Sequence, residues 1–83
     1  KRIGRAKFLR NVLIAAGNSG SKSLIPRVEK LLADDSALIR ASAVWALTQL
    51  MSSDAFATLK SDHYTGEENP VVRDEWDQAT KAA

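Results

Sequence analysis

The sequence predicts an all-α fold, a helical-repeat stack (α-α superhelix) of about five helices. Three segments open with an apolar pair followed by an arginine, and these arginines are Arg10, Arg40 and Arg73. They lie 30 and 33 residues apart, an interval typical of arrays whose helical pairs must stack to bury their apolar faces. No segment shows the sustained alternation of β-branched residues that predicts a strand. We therefore expect a binding surface rather than a catalytic pocket.

The first helix is predicted to run from Arg5 to Ala16. Its apolar residues follow the i, i+3, i+4, i+7 spacing of one helix face. They are Leu9, Val12, Leu13 and Ala16. Gly17 can adopt the left-handed conformation that closes a helix. We therefore expect a turn over residues 17–20.

The second helix is predicted to begin near Ser21 or Ser23, because either hydroxyl can cap free backbone N–H groups. Pro26 is compatible with this start, since proline is tolerated in the first turn of a helix. The apolar stripe consists of Leu24, Ile25, Val28, Leu31 and Leu32. A polar break over residues 33–36 then ends this element and offers caps for the next.

The third helix is predicted to extend from about Ser36 to Met51. One face is made of Ile39, Ala43, Ala46, Leu47 and Leu50. Val44 and Trp45 make the helix apolar on nearly every side. Such a helix needs neighbours on several sides, as the middle of a stack provides.

The last third is predicted to contain two helices joined by a polar loop over residues 62–68. Phe56 and Leu59 anchor the short fourth helix, which we expect over residues 54–61. Asn69 followed by Pro70 is a good start for the fifth helix, with a capping residue before a proline at the first helical position. The face of that helix consists of Val72, Trp76 and Ala79.

Length and charge set limits on what the chain can do. Its 83 residues predict a single domain over residues 1–83, and the abrupt start at Lys1 suits a C-terminal fragment of a longer enzyme. No apolar run is long enough to span a membrane. Residues 1–40 carry nine Lys/Arg against three Asp/Glu, and residues 41–83 carry three against seven. This asymmetry predicts that one end meets a polyanion, the alternative being a solvated surface on which charge clusters.

Residues suited to catalysis or to binding a metal are scarce. The absence of cysteine excludes a thiolate metal site or an iron–sulfur cluster bound by this segment itself. His63 is the only histidine, and we expect it on the surface. The turn Asn18-Ser19-Gly20 is too short for a phosphate-binding loop. We therefore predict no catalytic, cofactor-binding or metal-ligating residue in this segment.

The repeated arginines have two interpretations. In a structural role they pair with an acid or a carbonyl in the turn of a neighbouring repeat, and we favour this role for Arg40 and Arg73. In a functional role they face phosphates. The two roles are evenly balanced for Arg10, because other cations surround it. Those cations are Lys1, Arg2, Arg5 and Lys7.

Two stretches resemble the C-terminal HEAT-like repeat domain of the epoxyqueuosine reductase family. Residues 1–20 contain the Arg-Asn-Val-Leu and Gly-Asn-Ser pieces that open that domain, at residues 10–13 and 17–19. Residues 38–47 resemble its Val-Arg-x-x-Ala-x-Trp-Ala-Leu repeat. Thr48-Gln49 departs from the Gly-Arg pair common in the family. The resemblance covers residues 1–50, and the remainder matches only as a generic repeat.

The resemblance implies a parent oxidoreductase that reduces epoxyqueuosine to queuosine in tRNA. That cytoplasmic parent would use two [4Fe-4S] clusters and cobalamin, held by upstream catalytic and iron–sulfur domains and not by this fragment. The fragment would grip the tRNA anticodon stem-loop as a monomer and away from any membrane, since RNA helices are recognised largely by backbone and shape. The RNA contacts implied are Lys1, Arg2, Arg5, Lys7, Arg10 and Asn11. Asn18 is a further turn contact. For both Asn11 and Asn18 the alternative is that the side chain satisfies backbone groups in the turns, and this is the role we favour for Asn18.

Two other functions compete with RNA binding. A HEAT-like protein–protein interaction scaffold would have no nucleic-acid role. Alternatively, the segment mainly packs against its own upstream domain.

Overall fold

The computed structural model describes the backbone of residues 2–82 and the side chains of residues 4–78. Within this part the chain forms five α-helices and no strand, which confirms the predicted all-α class. Two 3₁₀ turns flank the second helix, and we refer to residues 22–33 together as the second helical segment. The helices are α1 (Arg2–Ser19), α2 (Ile25–Lys30), α3 (Ala37–Leu50), α4 (Ser53–His63) and α5 (Pro70–Ala82).

Helix α3 is the centre of the stack. It packs against α1 and α5 and also contacts α2 and α4, as its all-round apolar sequence predicted. Its core side chains have no exposed surface; they are Ile39, Ala43, Val44, Ala46 and Leu47. The other helices each bury a few apolar residues against it, chiefly Leu13, Val28, Phe56, Leu59, Val72 and Trp76. This is the helical-repeat stack that the arginine spacing indicated.

The end of α1 differs from the prediction. The helix does not stop at Gly17 but continues to Ser19, and Gly20, with φ 70°, takes the left-handed conformation. Gly17 lies buried where α1 crosses α3. A β-carbon at Gly17 would lie 2.6 Å from Cζ3 of Trp45 and 3.3 Å from Cα of Ala46. Glycine is therefore needed here for close approach of the two helices and not for a turn.

The start of the second helical segment also differs from the prediction. Neither predicted serine caps a helix, since Ser21 Oγ and Ser23 Oγ bond to each other at 2.8 Å. The chain instead enters through a 3₁₀ turn, in which the N–H of Leu24 donates to the carbonyl of Ser21. Pro26 then lies in the first turn of α2, as predicted.

The remaining helices begin with side-chain caps. The hydroxyl of Ser36 accepts the N–H of Ile39 at the start of α3, and Ser52 Oγ accepts the N–H of Ala55 at the start of α4. Asn69 caps α5 by accepting the N–H of Val71 at 2.8 Å. Helix α4 reaches His63, two residues beyond the predicted end, so the loop before α5 is shorter than expected.

Candidate nucleic-acid interface

Three of the predicted RNA contacts lie together on the solvent side of α1, which we call the basic strip (Lys7, Arg10 and Asn11). The three residues are spaced i, i+3, i+4, so they are neighbours on one helix surface. All three side chains are exposed. No residue that the structure describes pairs with Lys7 or Arg10. The strip therefore presents two uncompensated cations and an amide to solvent.

Arg5 lies elsewhere on α1. It precedes Lys7 by two positions, and residues at that spacing point to different sides of a helix. Its guanidinium donates to Asp34 Oδ1 at 2.6 Å and to Asp34 Oδ2 at 3.3 Å, while the side chain stays 53% exposed. Arg5 thus joins α1 to the turn before α3.

The other predicted contacts have different surroundings. Lys1 lies outside the residues that the structure describes, and the side chain of Arg2 lies outside them as well. Asn18 is exposed and lies inside α1, not in a turn as predicted. It follows Asn11 by seven positions, two full helix turns, so it extends the same side of the helix.

Arginine and acidic side chains connect the successive helical pairs in a repeated pattern, which we call the arginine–acid ladder (Arg5, Asp34, Arg40, Glu67 and Arg73). Arg40 donates to both oxygens of Glu67, at 2.9 and 3.2 Å, as Arg5 does to Asp34. The Nη1 atom of Arg40 also donates to the carbonyl of Asp34 at 2.7 Å, and that of Arg73 donates to the carbonyl of Glu67 at 2.9 Å. Arg40 and Arg73 therefore have the structural role that we favoured from the sequence.

The ladder keeps its carboxylates charged. The pKa of Asp34 is lowered chiefly by the hydrogen bond from Arg5 and further by the N–H of Ser36. Burial by itself raises the pKa of Glu67. The hydrogen bonds from Arg40 and from the N–H of Asn69 outweigh that effect, so the pKa of Glu67 is lowered overall.

Arg10 has the motif of the ladder arginines but not their setting. Arg40 and Arg73 each bond a carbonyl six residues earlier, in the turn before their helix. Six residues before Arg10 is Gly4, which lies inside α1. Within a helix the carbonyl already accepts the N–H four residues on. Arg10 therefore has no turn to bind.

A groove of about 770 Å³ lies between the end of the second helical segment and the loop before α5. In contrast to the basic strip, its lining is mainly acidic. Two acidic pairs, one repeat apart in sequence, meet there with a fifth acid; the five are Asp34, Asp35, Asp62, Glu67 and Glu68. The negative charge of this groove disfavours a polyanion on this face, so the basic strip on α1 is the candidate nucleic-acid interface.

Comparison with known proteins identifies the repeat. Residues 5–79 match the family model for HEAT repeats. The chain belongs to the HEAT repeat family. It is also similar to the epoxyqueuosine reductase of Xanthomonas campestris pv. campestris, with 40% identity over 50 residues. That alignment covers 59% of this chain and 14% of the enzyme. No solved structure matches the chain.

These matches confirm the resemblance drawn from residues 1–50: the chain is a HEAT-like region related to epoxyqueuosine reductase. The family also accounts for the ladder, because each HEAT pair must be held in register on its neighbour. The matched 50 residues span only a small part of the relative's length.

The residues of this HEAT region do not suit the cofactors that the resemblance implies for a parent enzyme. Iron–sulfur clusters are held by cysteine thiolates, and the chain has no cysteine. Among the described residues, no three His, Asp or Glu side chains are grouped so that they could hold a metal ion. His63 is exposed at the end of α4, where its ring stacks 6.2 Å from that of Trp76. Any such cofactor would be held by other parts of a longer protein.

Both tryptophans pack against other helices, as the sequence predicted. Trp76 is 1% exposed and its ring centroid lies 5.1 Å from that of Phe56. Trp45 is half-buried over Gly17. Within residues 2–82, no helix has the length and apolar character required to cross a membrane.

Proposed function

We propose that this HEAT repeat region is part of an epoxyqueuosine reductase and binds the anticodon stem-loop of tRNA. The parent, a cytoplasmic oxidoreductase, would reduce epoxyqueuosine to queuosine in that tRNA with cobalamin and [4Fe-4S] clusters held by its other domains. The observation that carries RNA binding is the basic strip, whose Lys7 and Arg10 are exposed and pair with no described residue. The similarity to epoxyqueuosine reductase supports the choice of RNA.

The strip would bind the phosphate backbone and not the bases. Each Lys or Arg that neutralises a phosphate releases condensed counterions, which gives affinity that falls as salt rises. The amide of Asn11 can donate to a phosphate oxygen or a 2′-hydroxyl. Such contacts position the RNA, and base recognition is left to the parent's catalytic domain.

The other predicted RNA contacts have lesser roles in this proposal. The guanidinium of Arg5 is held by Asp34, so it contributes its remaining exposed surface and long-range charge. Lys1 and Arg2 would add positive charge at the start of α1. The main RNA contacts are therefore assigned to Lys7, Arg10 and Asn11.

The test is a titration of the 83-residue chain with a fluorescently labelled anticodon stem-loop, followed by anisotropy at low and moderate salt. The variant Lys7→Glu/Arg10→Glu reverses the strip while leaving the ladder intact. We expect it to weaken binding at least about tenfold at low salt, because two phosphate contacts become repulsive. Arg5 is left unchanged, since its replacement would also break the ion pair with Asp34.

The matched control is Lys22→Glu/Lys30→Glu, which makes the same change in net charge on the second helical segment. Both of its lysines are exposed. We expect this control to lose no more than about threefold in affinity, the effect of long-range charge alone. Equal losses in the two variants would show that only net charge matters, and an absence of binding at low salt would reject the proposal.

A protein-interaction scaffold is the second candidate function. An apolar groove between α1 and the second helical segment favours it, because exposed apolar surface marks sites of protein contact. Under this alternative the stem-loop does not bind the wild-type chain, whatever the salt.

A further inference from the structure

An apolar groove of about 380 Å³ runs between α1 and the second helical segment. Its walls are largely aliphatic, with five lining residues from α1 and four from the second segment. The aliphatic ones include Val12, Ala15, Ala16, Leu24, Val28 and Leu31. One charged residue, Arg27, lines the groove as well.

The α1 side of this groove is unusually exposed for apolar residues. Val12 is 43% exposed, and Phe8, one turn earlier on α1, is 66% exposed. Clustered apolar exposure of this kind marks a contact site.

The repeat period explains why the groove is empty of side chains. Ala15 lies 30 residues before Trp45, the same interval as between Arg10 and Arg40. In α3 the indole of Trp45 fills the space against Gly17 of α1. In α1 the equivalent position carries only the methyl group of Ala15. The groove therefore has room for a large apolar side chain brought by a partner.

Charge around the groove selects the kind of partner. Arg27 lines it, Lys22 and Lys30 are exposed on the same segment, and no acidic residue is among its lining residues. A second copy of this chain docking here in an isologous contact would place the same cations opposite each other. A partner that carries carboxylates beside its apolar face avoids this repulsion.

We infer that the groove binds an amphipathic helix of a protein partner, with large apolar side chains on one face and acidic residues on its flank. From Phe8 to Ser19, α1 offers about 16 Å of length, enough for about three turns of the bound helix. This surface is distinct from the basic strip, and the inference does not depend on RNA binding.

The experiment titrates the 83-residue chain into three fluorescein-labelled 18-residue peptides. The first has leucines at i, i+3, i+4 and i+7 with flanking glutamates. The second replaces those glutamates with glutamine, and the third rearranges the leucines so that no stripe forms. We expect micromolar binding of the first peptide, roughly tenfold weaker binding of the second, and none of the third.

The variant Ala15→Trp fills the groove without touching its charges. Ala15 is exposed, so the fold should be preserved, and far-UV circular dichroism checks this. We expect peptide binding to fall at least about tenfold, since the bound side chains lose their space, while stem-loop binding is unchanged. Amide shift changes on adding the first peptide to the wild-type chain should centre on Val12, Ala15, Leu24 and Leu31.

Three results would overturn the inference. They are equal binding of the first and third peptides, shift changes centred away from the groove, and an Ala15→Trp variant that binds the peptide as the wild type does. If Ala15→Trp instead weakens stem-loop binding and the RNA displaces the peptide, the groove is an RNA site and not a protein site. Failure of the RNA titration alone leaves the peptide result as evidence for protein docking.

Discussion

Arg10, Arg40 and Arg73 show how the surroundings of a residue decide its role. Arg40 follows a turn in which the carbonyls of Asp34 and Asp35 have no partner within a helix. Both carbonyls accept hydrogen bonds from Nη1 of Arg40. Arg73 likewise donates to the carbonyls of Tyr64 and Glu67. For Arg10 the preceding residues belong to α1, whose carbonyls are already used. The same motif therefore yields two structural arginines and one that is available to a ligand.

Replacing Arg40 with alanine should destabilise the fold, because it removes four hydrogen bonds and leaves Glu67 poorly compensated. We expect a loss of about 2–3 kcal/mol in the free energy of unfolding at pH 7. The lowered pKa values of Asp34 and Glu67 give stability that is present above their ordinary pKa values and is lost as pH falls through the lowered ones. The effect of Arg40→Ala should therefore shrink below about pH 4. Urea denaturation at pH 7 and pH 3 measures both quantities.

The matched control is Arg10→Ala, which removes the same side chain from the same motif position. We expect a change within about 0.5 kcal/mol, as for an exposed surface residue. If Arg40→Ala proved equally mild, or lost as much stability at pH 3 as at pH 7, the ladder would not have the structural role assigned to it.

At the scale of the helices, the crossing of α1 and α3 depends on a single missing side chain. Gly17 allows the backbone of α1 to approach Ala46 and the ring of Trp45. Glycine inside a helix costs about 1 kcal/mol relative to alanine. Close packing of two helices compensates for this cost, and it explains why glycine interrupts an otherwise good helix sequence.

The substitution Gly17→Ala should destabilise the chain by about 1 kcal/mol, because overpacking of about 1–3 kcal/mol exceeds the gain in helix propensity. In a Trp45→Ala background the shortest contact, with Cζ3 of Trp45, is removed and only the 3.3 Å approach to Cα of Ala46 remains, so the same substitution should become close to neutral. A double-mutant cycle by thermal or urea denaturation should give a coupling of at least about 1 kcal/mol.

Gly4→Ala provides the comparison. No described atom outside the backbone of α1 lies within 4 Å of a β-carbon at Gly4. The substitution should therefore stabilise the helix through higher helix propensity without a loss of packing energy. Additive effects of Gly17→Ala and Trp45→Ala would contradict the proposed contact.

At the scale of the whole molecule, the position of α3 makes the chain one cooperative unit. Every other helix packs on α3, and no second cluster forms a core among the described residues. Charge is arranged around this core by segment. Exposed cations that pair with no described residue lie on α1 and the second helical segment, and the acidic groove lies near the loop before α5. This arrangement supports the proposal that RNA contacts the α1 end of the stack.

We expect Leu47→Ala to weaken all helices together. Leu47 has no exposed surface, and truncating a buried leucine costs about 2–5 kcal/mol. The total free energy of unfolding of a domain of this length is about 5–10 kcal/mol. Thermal unfolding followed at 222 nm should show a single transition at a much lower midpoint. Leu38→Ala, at a site 44% exposed on the same helix, should shift it little. A variant that kept α1 folded after the rest had melted would contradict this view.

The sequence alone determined the all-α class, the repeat, the starts of α3, α4 and α5, and most of the buried faces, because helical periodicity and caps such as Ser36 and Asn69 act over a few residues. It did not give the limits of α1, or the exposure of Val12, which the periodicity had placed on the buried face. The tertiary structure alone decided which features of α1 serve packing. In the folded chain Gly17 makes a helix contact where a turn was predicted, Arg5 pairs with Asp34, and Arg10 has no partner among the described residues. The fold also leaves the groove beside Ala15. Some of these features depend on contacts between residues about one repeat apart, and others depend on where α1 begins. Local patterns in the sequence contain neither kind of information.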